Sequence, residues 1–251
     1  MVTSVILGLI LTFLCFCGIM MICSGVLDFI IHSIRYSAVI IKFMWGYLKM
    51  SKKYCLTKET KQLDGSTLHR IRALKEIPIY GVKAGDLGGW IESEKNLSQA
   101  GDCWVANHAM VFMNARVLDD AIVWGSAQVF GSAVICDNAN VFGKAIVSDF
   151  VSVSNRATVC DNAHLAGNAR VGNDAHVGGF AYLRGDVFVL GDACVTEYAE
   201  MYGCSRAGGY ARIQGRAKIF GEAQIYDCAK ISGNTQIYGS SIVTGAAVIA
   251  G

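Results

Sequence analysis

The sequence predicts an all-β fold, a single-chain triangular β-solenoid of about eight coils of 18 residues, preceded by an α-helical membrane segment. Three observations carry this reading. From Cys103 to Gly251 the chain repeats every six residues without a slip. The repeat alternates small and branched apolar residues with turn formers. The first fifty residues contain an uncharged apolar run long enough to cross a bilayer.

Val2 to Leu27 holds no charged residue. As a helix this run spans ~39 Å, against a hydrocarbon core of ~30 Å. No Lys or Arg precedes it and no small-residue cleavage site follows, so an uncleaved anchor is expected rather than a signal peptide. Phe29 to Lys49 admits three readings: an interfacial amphipathic helix, a second membrane helix, or a helical stalk. His32, Arg35, Lys42 and Lys49 fall near one helical face, because a seven-residue step turns a helix by only about −20°. Arg35, Lys42, Trp45 and Lys49 are the expected membrane-interface residues, with membrane lipid as a partner. Lys49, Lys52 and Lys53 follow the last apolar residues, which places the solenoid on the cytoplasmic side of a bacterial inner membrane.

Residues 51–102 read as an adaptor. Lys53 to Leu74 alternates polar and apolar residues around Asp64-Gly65, a strong hairpin signal. Gly85-Asp86 and Gly88-Gly89 read as turns, with Trp90 and Ile91 buried. A solenoid needs a cap over its first open edge, and this segment is placed to supply one.

Residues 103–251 read as the solenoid. Written A-x-V-x-G-x, its third slot runs from Val105 to Ile249 through 25 positions, all Val, Ile, Leu or Met except Ala207. The first slot is mostly Ala, and the fifth is Gly, Asn or Asp everywhere but Met113 and Glu197. Six is three strand periods, so the first and third slots point to one side. The fifth slot supplies the left-handed residue that bends the chain toward the next face.

Composition narrows the function. The chain is 53% hydrophobic with a mean hydropathy of +0.40 and a net charge of +2. Residues 1–50 account for that charge, since Arg35, Lys42 and Lys49 face only Asp28. The remainder is neutral, which argues against a nucleic-acid partner. Ten cysteines are scattered with no CxxC pair, as in a reducing compartment and without a metal framework.

The stretches LHRIRALKEI, VKAGDLGGWIESEKNLS and GDCWV, followed by hexads such as VFGSA and VFGKA, resemble the YdcK-type β-solenoid family of enterobacterial genomes and prophages. The resemblance covers about residues 53–251 and is most specific in GDLGGWIESEKNLS; the Val2–Lys49 segment is an addition to it. It implies a left-handed coil and a kinship with hexapeptide-repeat acyltransferases. Those enzymes place Gly directly after the aliphatic residue, whereas here it comes two after, as in Val129-Phe130-Gly131. They also interrupt the coil with a loop that brings in a catalytic His, and residues 103–251 have no interruption.

His108, His164 and His176 sit at outward slots, with Asp174 the best available carboxylate for His176. An exposed polar face is the preferred account of these residues, so no catalytic, cofactor or metal residue is assigned. Aromatic residues 18 apart are expected to stack, as in Phe112 with Phe130. Such ladders either brace adjacent coils or form a sticky edge. The last hexads carry no charge to blunt an open β end, so Ile242, Val243, Val248 and Ile249 are expected to self-associate, with Phe112 and Phe130. The preferred reading is a membrane-anchored homo-oligomeric scaffold or sensor, with room for another protein partner, in the manner of a prophage-borne membrane-acting defence effector. The competing reading is an acyltransferase acting at the inner membrane.

Overall fold

The computed structural model describes residues 52–251. The apolar run, Arg35, Lys42, Trp45 and Lys49 lie outside the described residues. Among the described residues no helix is long and apolar enough to cross a membrane. Lys53–Gly251 forms one compact unit, a stack of parallel β-coils.

The unit begins with a hairpin, β1 (Tyr54–Leu63) and β2 (Ser66–Ala73). Asp64 and Gly65 both have positive φ, 46° and 84°, as a two-residue turn matched to strand twist requires. β2 pairs antiparallel with β3 (Leu87–Ile91), and β3 then pairs in parallel with the first coil strand of its face, Ile91 beside Val111. Gly88-Gly89 therefore lies within a strand, where a turn was expected. Only glycine fits there: a Cβ on Gly88 would lie 2.6 Å from the Val105 carbonyl oxygen, and one on Gly89 2.6 Å from that of Ala109.

The solenoid starts earlier than its regular hexads. Ile91 lies beside Val111, Leu97 beside Val117 and Val105 beside Val123, so residues 90–105 make a complete first turn. The rod consequently has nine turns, counted on the nine-stranded face from Trp104–Val105 to Val248–Ala250. Eleven- and eight-stranded sheets form the other two faces, and the eleven include the hairpin. Strands pair in parallel with residues 18 apart, as in Val129 with Val147 and Val147 with Leu165.

The hexad register explains the core. First-slot alanines from Ala109 to Ala229 and third-slot aliphatics from Val105 to Ile231 are essentially inaccessible. Each buried Val, Leu or Ile contributes roughly 1.5–3 kcal/mol relative to exposure. Met201 and Ala207, the longest and shortest third-slot residues, sit in one turn. The fifth slot turns every corner: from Asn107 to Gly245 all its residues have φ between 55° and 98°, Met113 and Glu197 included.

The cap closes the N-terminal end of the stack. Tyr54, Ile71, Ala73 and Ile77 join the main core. The Tyr54 hydroxyl donates to the Leu97 carbonyl at 2.6 Å. Buried Asn96 donates to the carbonyls of Met113 and Ala115 at 3.0 and 2.9 Å. Buried Lys53 donates from Nζ to the carbonyls of Gly101 and Cys103 at 3.0 and 2.8 Å. A backbone that leaves the hexad rhythm would strand these polar groups, and the side chains satisfy them.

Candidate interaction surfaces

With one side of every strand spent on the core, function falls to outward side chains and corners. Among the described residues, His108, His164 and His176 each have separate surroundings. His108 is exposed, and His164 packs edge-on against Tyr182 with ring centroids 5.1 Å apart. Burial lowers the His164 pKa, opposed by Asp149, so its imidazole is held neutral. The expected partner of His176 is engaged elsewhere: Asp174 accepts from Arg156 Nε at 2.6 Å and NH2 at 2.7 Å. That bidentate contact holds the Asp174 carboxyl below its ordinary range. His176 instead lies 3.9 Å from Cys160 Sγ. Burial, reinforced by Asp161, pushes the Cys160 thiol up to about 12. A thiol kept protonated at neutral pH is neither a nucleophile nor a ready metal ligand.

Asp119, Cys136 and Asp137 bring their donor atoms within 4.8 Å of one another. Their hydrogen bonds give them a structural task. Asp119 accepts from the Asp137 amide at 3.2 Å, and Asp137 accepts from the Asn155 amide at 2.8 Å. The same bracket recurs at Asp149–Gly167, Asp161–Gly179, Glu197–Gly215 and Asp227–Gly245, at 2.8 to 3.0 Å. A corner carboxylate thus both turns the chain and receives the amide one coil on.

The aromatic ladders form as the 18-residue spacing requires. Trp124 stacks on Phe142 at 4.7 Å, and Tyr202, Phe220 and Tyr238 continue at 5.1 and 5.4 Å. Phe112 stacks on Phe130 at 5.1 Å, but Phe112 is only 2% exposed. The hairpin covers it: Leu68, Met110 and Phe112 form a small outer core with Leu63, Trp90 and Phe130 packed around them. This pair braces the cap, and Phe112 has no face left for another chain.

The other expected self-association residues lie in the last turn. Ile242 and Val248 are 62% and 70% exposed. Val243 and Ile249 point inward and pack on the core, yet are only half-buried. One coil earlier, Ile225 and Ile231 are fully buried.

These features define a β-solenoid of parallel stacked coils, consistent with a hexapeptide-repeat-like fold. No family model matches the chain, and no curated protein matches it.

Proposed function

We propose that this protein is a self-associating β-solenoid scaffold, tethered at a bacterial inner membrane by the segment before residue 52. The observation that carries the proposal is the exposure of the last described turn, where Ile242, Val243, Val248 and Ile249 present an apolar triangular edge. Its strands are two or three residues long and bear backbone groups able to extend the β-stack. The best-matched occupant is another coil of the same cross-section. A second copy supplies one through the same strands, in the self-complementary manner of a two-fold contact. The uncharged run Val2–Leu27 supports the tether, and the likeness to prophage-borne solenoids supports a role as a membrane-acting defence effector.

Oligomer mass in detergent tests this. Ile249→Lys is expected to shrink the assembly while leaving the rod folded. An Ile249→Lys protein with wild-type mass and wild-type circular dichroism refutes the terminal contact.

A further inference from the structure

The eight-stranded face carries a pair of arginines, one of them lining an open groove, away from the terminal edge. Its second-slot column reads Ser152, Arg170, Phe188 and Arg206 in successive coils. The Arg170 guanidinium carbon lies 5.5 Å from the Phe188 ring centroid, and that of Arg206 5.3 Å from it. One ring therefore orders two guanidiniums, one on either side, which lowers the entropy lost when either binds an anion. No carboxylate occupies either outward column of this face from Arg116 to Thr244. Neither arginine takes part in an ion pair among the described residues. Two nearby corner acids are engaged: Asp174 by Arg156, and Asp186 by Asn168 at 2.8 Å. Two like charges are thus held close together with no direct ion pair to either.

Beside Arg170 runs an open groove of about 450 Å³ that crosses three coils, from Phe150 and Ser154 through Gly172 to Phe188 and Leu190, with Arg206 in the next coil. Gly172 leaves its slot without a side chain, and a Cβ there would stand 3.2 Å from Leu190 Cδ2. Phe150 is 68% and Leu190 39% exposed, so the groove sets apolar side chains beside the Arg170 cation. That combination selects an anionic ligand with an apolar flank.

Spacing decides its shape. Arg170 and Arg206 are two coils apart, about 9.6 Å at ~4.8 Å per strand. Same-face residues of an extended peptide recur at about 6.7 or 13 Å and miss this interval. Residues i and i+7 of an α-helix lie on one face about 10.5 Å apart and meet it, with i+3 and i+4 falling between them. A nucleic-acid backbone would require a denser row of cations than this face provides.

We infer that this face docks an acidic amphipathic helix, with carboxylates at i and i+7 on Arg170 and Arg206 and apolar residues at i+3 and i+4 against Phe188 and Leu190.

The test uses the full-length chain and synthetic helical peptides in a neutral host sequence. The matched peptide carries Glu at i and i+7 with Leu at i+3 and i+4. A second peptide of equal composition moves the glutamates to i and i+4. Titration calorimetry should show the matched peptide binding about ten-fold more tightly. Arg170→Gln with Arg206→Gln should weaken it by a further ten-fold or more, as expected for lost charge-assisted contacts. Arg184→Gln, on another face, should leave binding unchanged. Both arginines are exposed, so a thermal melt can establish that the double variant remains folded. Equal affinity for the two peptides, unchanged binding by the folded double variant, tighter binding of a single-stranded oligonucleotide, or no binding of the matched peptide at millimolar concentration each overturns the inference.

Discussion

Val147 is the sharpest probe of the inward register. It is fully buried, paired with Val129 on one side and Leu165 on the other. Val147→Ala deletes two carbons, worth about 0.8 kcal/mol each in transfer, and incomplete collapse adds a cavity penalty. A loss of roughly 2–3 kcal/mol follows, which corresponds to about 5–10 °C in melting temperature for a unit of this size. Val147→Asp also buries a carboxyl with no partner, at roughly 2–7 kcal/mol for the polar group alone. In a stacked repeat this damage breaks the interfaces on both sides of one coil. Thermal melts by circular dichroism, with limited proteolysis, read both effects. Tyr210→Asp is the control, since Tyr210 is 64% exposed on an outward slot away from the terminal edge. It should shift stability by no more than about 0.5 kcal/mol. A Val147→Asp rod as protease-resistant and heat-stable as the Tyr210→Asp rod would refute the assignment of faces.

Two further outcomes follow from corners and titration. Asp161→Gly keeps the left-handed corner but loses the bracket to the Gly179 amide, so it should cost about 1 kcal/mol. Met113, at φ 56° and with no carboxylate to offer, should gain on replacement by Gly, and chemical denaturation should separate the two signs. His164 has a lowered folded pKa, so its contribution is present above the ordinary value of about 6.5 and is lost as pH falls through the folded pKa. His164→Phe should flatten the fall in melting temperature below about pH 6.5; an equally steep profile in the variant would assign that pH dependence to other groups.

The period of six, the inward slots and the Asp64-Gly65 turn were all legible in the sequence, because side-chain alternation and positive φ act within a few residues. The first turn was not. Ile91, Leu97 and Val105 step by six and then by eight, so the hexad rhythm breaks where the turn is completed by Lys53, Tyr54 and Asn96. Fifth-slot acids were recognised as turn formers, but their bracketing of the next coil appears only when the chain is set out in rows of 18. The same layout places Arg156 over Asp174 and removes that carboxylate from His176. Phe112 looked like one ladder residue among several. Its burial depends on a bulged hairpin, with a register shift between Leu56 and Thr60, packing onto the outer face.

Beyond the first turn, the constant 18-residue offset between paired strands has a kinetic consequence. Each new coil needs contacts only with the one made just before it, so closing it costs the same modest loop entropy every time. The cap, lying on the N-terminal side of the rod, emerges from the ribosome before it and offers a template edge before most of the rod has been translated. Growth then proceeds in one direction, coil upon coil, and a nascent chain exposes a single β-edge rather than an unfolded tail searching for distant partners.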